Sequence, residues 1–306
     1  MTKISYSLKN LDPYTCSFLI ALPAIGIFLL LAHIYWEGFN PYLLIWGACA
    51  YAITVFAVSA GYHRLFSHRT YKTNSIVKLF HLIFGASSGQ NSALKWATDH
   101  RVHHRKADTD QDPYNIKRGF FFAHMGWVIL KDQEHIERPV PKDLTRDPLV
   151  MWQHRHVIKI ALVTNLIMCL VAGYFTGSYL GAFAIVGFLR IAIVLQVIFS
   201  INSFCHMIGS RPYNKKETAR DSHFLALITF GEAYHNFHHT FESDYRNGYN
   251  WYEWDPTKWI VSALSKIGIT YDLIKTPKTV VEKTKRNAEG TVTTLYSANE
   301  EKIANR

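Results

Sequence analysis

Charge is what this sequence lacks over long distances. Between Asp12 and Arg64 the only Asp, Glu, Lys or Arg is Glu37, and between Lys159 and Arg211 the only one is Arg190. An ordinary soluble domain is excluded, because its helices alternate apolar and polar faces and rarely run about 20 apolar residues, the length that crosses the hydrocarbon layer. Cysteine is also scarce: Cys16, Cys49, Cys169 and Cys205 lie in or beside the apolar blocks, make no CxxC pair, and read as small buried side chains. Acidic residues are in deficit, 23 against 33 Lys and Arg, for a formal net charge of +10. On a membrane chain that excess reports orientation and attraction to anionic headgroups, and nothing in it calls for a nucleic-acid partner. Met1 to Tyr14 lacks the order of a cleavable signal, so the first span is expected to stay in the protein.

Each apolar block contains a break. Trp36 to Pro41 divides the first into spans of about Cys16–Tyr35 and Tyr42–Tyr62; Thr176-Gly177-Ser178 divides the second into Val157–Phe175 and Tyr179–Ser203. The fold class expected is an all-α integral membrane protein, four transmembrane helices in two hairpins, with a helical domain on the cytosolic side capping a histidine-rich di-metal site. The two turns hold no Lys or Arg, so by the positive-inside rule both termini and the middle segment share the cytoplasmic face. The chain then divides as residues 1–15 (amino-terminal segment), 16–62 (first hairpin), 63–156 (cytosolic), 157–203 (second hairpin), 204–274 (cytosolic) and 275–306 (flexible tail).

Nine of the sixteen histidines fall in four groups beside these spans: His63 and His68; His100, His103 and His104; His206, one helical turn after Asn202; and His235, His238 and His239. Helical positions i, i+3 and i+4 share a face, so each HxxHH triplet brings three imidazoles to one small volume. Adjacent members diverge by about 100°, so one triplet can serve two neighbouring metals. His63 and His68 would stand roughly 140° apart on a regular helix, which predicts a distorted helix end at Arg64–Ser67. Counted from Pro41 to His68 the second span is about 42 Å long, and the fourth, from Gly181 to His206, about 39 Å; both outrun a core of about 30 Å and would hold a metal site at the membrane surface. His33, His81, His124, His135, His154, His156 and His223 belong to no such group and read as ordinary hydrogen-bonding residues. A structural zinc would need only four ligands, often with Cys. Imidazole suits iron, zinc, copper and nickel alike, so ligand type leaves the metal open.

The boxes His63-Arg-Leu-Phe-Ser-His68, Asp99-His-Arg-Val-His-His104, Asn202-Ser-Phe-Cys-His206 and His235-Asn-Phe-His-His-Thr-Phe241, with Arg118 to Trp127 between them, resemble the membrane fatty acyl desaturase family, in its Δ9, stearoyl-CoA desaturase-like group. The similarity runs from about Gly61 through Tyr271. It implies two iron ions held by His63, His68, His100, His103, His104, His206, His235, His238 and His239, with Asn202 reaching one of them through water. Spacing does not divide the nine between the irons. Asp99, Asp112 and Glu232 are candidates to orient ligand imidazoles from behind, and solvated loop carboxylates otherwise.

The reaction implied is that of an oxidoreductase: O₂ and two electrons remove hydrogens from adjacent carbons and leave a cis double bond, at Δ9 of a saturated C16–C18 acyl-CoA. Gln90, Asn91 and Trp96 match family positions along the acyl path. Ile198 and Phe199 stand where animal enzymes carry Thr and Trp at the tunnel's bend. Thr98 and Lys131-Asp132 replace family basic residues, leaving Lys117, Arg118 and Lys131 for the carrier's phosphates. Acyl carrier protein and intact lipid are the alternative carriers. With no His-Pro-Gly-Gly haem motif, electrons are expected from a separate donor of cytochrome b5, ferredoxin or rubredoxin type with its reductase.

A His-box hydroxylase is the nearest rival; a catalytically dead relative is disfavoured by the complete nine-histidine set, and a metal transporter by spans whose only charged residue, Arg190, is no metal ligand. Arg190 should find a polar partner and brace the bundle. Trp251 to Ile269 reads either as a helix on the membrane surface or as a packed helix of the cytosolic domain.

Overall fold

The computed structural model describes residues 10–131 and 135–290. Among them four helices are long and apolar enough to cross a membrane: α1 (Pro13–Glu37), α2 (Tyr42–Ser67), α5 (Pro148–Thr176) and α6 (Tyr179–His206). Between α2 and α5 come α3 (Ser75–Ala86) and α4 (Ala93–Lys106); after α6 come α7 (His223–Thr229), α8 (His235–Thr240), α9 (Pro256–Lys266) and α10 (Lys278–Glu289). Among the described residues the only strands pair Lys72 with Tyr271 and Thr73 with Thr270, antiparallel, tying the start of α3 to the chain after α9.

Local sequence sets the helix ends. Asp12 accepts the Tyr14 and Thr15 N–H groups and Pro13 occupies the first turn of α1; Asp147 and Pro148 do the same for α5, which stops at Gly177 with φ 71°. α5 starts nine residues before the expected Val157, because His154, Arg155 and Lys159 lie on its exposed side rather than interrupting it. Large apolar residues of α1 and α5 face outward, among them Ile20, Phe28, Ile158 and Leu162, as a lipid-facing surface requires.

Helix α6 is the inner member of its hairpin, and Arg190 sits buried in it. Its guanidinium donates to Ser87 O at 3.0 Å, Val186 O at 3.0 Å, Thr54 Oγ1 at 3.3 Å and Asn165 Oδ1, so one side chain ties α2, α5, α6 and the end of α3. A charge among the spans is tolerated because every direction it points finds an acceptor.

Helix α2 is distorted at Arg64–Ser67 as expected, and the distortion reaches further back. Its first part, Tyr42–Phe56, is α-helical, and the whole stretch Ala57–Ser67 winds with i→i+5 bonding. Close packing accompanies the wide winding: Gly61 lies against His81 and Gly85 against Tyr62, where an added Cβ would come within 2.4 Å of the neighbour in each case. Part of the tail expected to be flexible from residue 275 falls within the described residues. Lys278–Glu289 is helical and closes at Gly290 with φ 78°, while residues 291–306 lie outside the described residues, as do 1–9 and Asp132. α9 is half-embedded: Thr257, Lys258 and Val261 are buried while Trp259 and Ile260 stay partly exposed, so the stretch is packed on one side and apolar on the other.

Candidate metal centre and its cavity

The nine box histidines meet at the ends of α2 and α6. In the π-wound segment the His68 N–H donates to His63 O at 3.1 Å, which stacks residues five apart and brings the two rings to 4.9 Å between centroids. Ser92 starts α4 by accepting the Lys95 N–H, after Asn91 has turned the chain with φ 69°. α8 has no side-chain cap of its own; Asp221 accepts its first two free N–H groups, Asn236 at 2.7 Å and Phe237 at 3.0 Å.

The histidines sort into two groups. His63, His68, His100, His104 and His238 form one, His103, His206, His235 and His239 the other, and within each the ligand atoms all lie within 4.8 Å of one another. Each HxxHH triplet is split between the groups. The closest Nε2 pairs are His68–His100 at 2.8 Å, His63–His238 at 2.9 Å, His104–His238 at 3.0 Å, His206–His235 and His235–His239 at 3.1 Å, and His103–His239 at 3.2 Å. Nitrogens about 2.1 Å from one ion are about 3.0 Å apart at a right angle and about 3.4 Å apart in a tetrahedron. The spacing therefore fits two ions ligated near right angles, and five imidazoles exceed a tetrahedral site. Burial, with neighbouring imidazoles adding to it, pushes His100, His104, His235, His238 and His239 well below the usual histidine range, toward the neutral rings that metals bind.

Behind the rings stands a layer of oxygen. His63 Nδ1 lies 2.5 Å from Glu232 Oε2, His103 Nδ1 2.8 Å from Asp112 Oδ1, His239 Nδ1 3.0 Å from Glu217 Oε2 and His104 Nδ1 3.4 Å from the exposed Glu242. His206 Nδ1 meets Thr218 Oγ1 at 2.7 Å, and that hydroxyl donates to Asp108 at 2.5 Å. Such partners fix ring tautomer and direction. Burial works against the charged form of Glu232, but His63 and Arg64 beside it outweigh this and hold its pKa down at about 2. Asp112 and Glu232 are two of the three carboxylates named from sequence. The third, Asp99, instead accepts from Arg138 Nε at 2.6 Å and touches no histidine of the two groups in this way. Sequence reasoning passed over Asp108, Glu217, Thr218 and Glu242; only the four-residue step from Asp108 to Asp112, just past the second box, offered a signal.

A cavity of about 920 Å³ reaches His63, His100, His235 and Asn202. Val55, Val58, Leu195, Ile198 and Phe199 form apolar wall, with Trp96 stacked on His100 at 4.6 Å, and Gln90, Asn91, Lys95, Lys131 and Arg138 form the polar part. Gln90, Asn91, Trp96, Lys131, Ile198 and Phe199 thus share one cavity. Lys117 and Arg118 are not among its lining residues; Arg118 lies over the Phe122 ring at 3.7 Å. Lys95 and Arg138 line it without having been named. Of the remaining histidines, His33 meets Ser178 and Glu37, His124 meets Gln196 and Ser203, His154 meets Ser92, and His223 meets Tyr234, the ordinary roles expected of them.

Residues 40–273 match the fatty acid desaturase family model. The chain is 43% identical over 235 residues to acyl-CoA desaturase 1 of Saccharomyces cerevisiae, covering 76% of this chain and 46% of that one. It is 39% identical over 277 residues to the probable acyl-CoA desaturase of Schizosaccharomyces pombe, 90% and 57% of the two chains, and so spans about half the length of these yeast relatives. Stearoyl-CoA desaturase 5 of Bos taurus is 35% identical over 258 residues, 82% of this chain and 77% of that protein. With nine histidines in two metal-sized groups above four candidate spans, and a matched region containing every one of them, the chain belongs to the fatty acid desaturase family.

Proposed function

We propose that this chain is an acyl-CoA desaturase that places a cis double bond at Δ9 of a saturated C16–C18 acyl chain. The observation that carries the reading is the placing of His63, His100 and His235 in the wall of one largely apolar cavity, so that a bound chain would run beside the two histidine groups. Two iron ions, when bound there, supply the oxidising power that O₂ and two electrons provide and that no side chain has. The balance is one saturated carbon pair, O₂, two electrons and two protons giving one alkene and two waters.

The residues of the chain do the positioning. Val55, Val58, Leu195, Ile198 and Phe199 exclude water and hold methylenes without preference for any one carbon, so the site of reaction is set by distance from an anchored headgroup. Lys95, Lys131 and Arg138 at the polar part of the cavity would meet the phosphates of a CoA carrier, replacing the charge that Thr98 does not carry. Asn202, partly buried and lining the same cavity as His235, is suited to hold a water against an ion. Electrons would come from a redox donor of cytochrome b5, ferredoxin or rubredoxin type. The Lys- and Arg-free turns support placing the site on the cytoplasmic side.

Expression in a desaturase-deficient host, followed by analysis of total fatty acids, tests the reading. New cis-Δ9 C16 or C18 acids are expected. Hydroxy acids would establish the hydroxylase instead, and an unchanged profile from an iron-loaded chain would refute both.

A further inference from the structure

His63 is held from behind by a chain of buried charges that ends on a distant helix. Glu232 Oε2, 2.5 Å from His63 Nδ1, also accepts from Asn247 Nδ2 at 2.8 Å. The other oxygen accepts from Arg64 Nη2 at 3.0 Å, Arg64 Nε at 3.3 Å and Ser59 Oγ. Arg64 then forks onto Asp255, Nη2 to Oδ1 at 2.9 Å and Nη1 to Oδ2 at 3.1 Å, and gives its last bond to Tyr245 O at 2.8 Å. Asp255 in turn caps α9 through the Lys258 N–H at 3.0 Å and takes the Asn247 and Gly248 N–H groups at 2.9 and 3.1 Å. Arg64 is 1% exposed and Asp255 and Asn247 are 0%. Gly231, with φ 91°, lets the chain carrying Glu232 come so close that a Cβ would stand 2.7 Å from that of Asp255.

A buried ion pair repays its desolvation poorly as a stability device, since apolar side chains of the same volume often serve as well. Geometry is where such a pair has an advantage. The guanidinium is planar and its two forked contacts to Asp255 leave Glu232 one orientation. Asp255 is itself pinned by three backbone N–H groups.

We propose that Asp255 and Arg64 are positioning residues for the five-histidine site, setting the direction of the His63 ring through Glu232 and so making that site depend on the start of α9. The proposal rests on the reading that the histidines hold iron. Asp244 supplies the structural comparison: it is 1% exposed in the same part of the chain, and its carboxylate binds Arg246 and the Thr276 N–H rather than Glu232, Arg64 or Asn247.

The test uses the full chain, loaded with iron in lipid nanodiscs, and follows release of each iron to a chelator together with the Mössbauer spectrum. In Asp255→Asn one of the two irons should leave about 10- to 100-fold faster, the range seen when outer partners of ligands are removed, with the other unchanged. Asp244→Asn should lower the melting temperature while leaving both release rates as in the parent. If Asp255→Asn does not fold, Arg64→Lys, which keeps the charge but loses the planar fork between Glu232 Oε1 and Asp255, should speed release of the same iron. Parent-like release in the variant examined, or equal acceleration of both irons in Asp244→Asn, would overturn the proposal. A parent chain that takes up no iron would overturn the underlying reading itself.

Discussion

His103 is one of the most enclosed imidazoles of the four-histidine group, 1% exposed, with Nε2 toward His239 and Nδ1 toward Asp112. In His103→Ala one of the four imidazoles of that group is lost. Iron content should fall from two toward one per chain and desaturation should vanish, with the protein still in the membrane fraction; retained turnover would contradict the ligand assignment. Glu217→Gln is a milder change, because the amide oxygen still accepts from His239 Nδ1 but brings no charge. A 10- to 100-fold loss of iron affinity is expected, measured by competition with a chelator. The contrast between these residues also marks what a sequence can disclose. His100, His103 and His104 announce themselves by spacing along one helix. Glu217 reaches His239 across 22 residues and Glu232 reaches His63 across 169, so no local period records either pairing. Asp99 had the better position in sequence, directly before the second box, yet Arg138 takes it from the other side.

At the scale of elements, the apolar spans were legible because charge is expensive in hydrocarbon and its absence is visible residue by residue. The winding of α2 was not. A period of 3.6 puts His63 and His68 on different faces, and the arithmetic located the trouble at the last turn, whereas the helix widens from Ala57 and distributes the change over eleven residues. What holds the widened segment is its contact with α3, and the glycines make that contact. Gly61→Ala would place a methyl 2.4 Å from His81 Cβ, which belongs to a fully buried ring with no room to withdraw. We expect a loss of about 1–3 kcal/mol from overpacking. The strain falls two residues before His63, so thermal stability and the iron of the five-histidine group should decline together. A variant that is destabilised yet keeps both irons would show that α3 does not set the winding.

Taken as a whole, the molecule gathers its ligands from four separate segments: the end of α2, α4, the end of α6, and α8. An ion bound only in the folded arrangement stabilises that arrangement by an amount that grows with the logarithm of its concentration over the dissociation constant. Every imidazole pair that crosses between segments, such as His63 with His238 and His103 with His239, becomes a link when metal is present and loses that bridge when it is absent. α1 and α5 bring no histidine to either group, and α6 keeps its Arg190 bonds to α5, α2 and Ser87 regardless of metal. Metal removal should therefore divide the molecule. Hydrogen exchange after chelation should accelerate in α4, α8 and residues 57–68 and stay unchanged in α1, α5 and the middle of α6. Equal acceleration throughout would mean that the bundle and the histidine end fold as one unit, with Arg190 too weak a brace to hold the spans alone. No change anywhere would mean that Arg64, Glu232, Asp255 and the carboxylates behind the rings hold the site open without metal, a preorganised centre in which the protein has already met the cost of bringing nine imidazoles together.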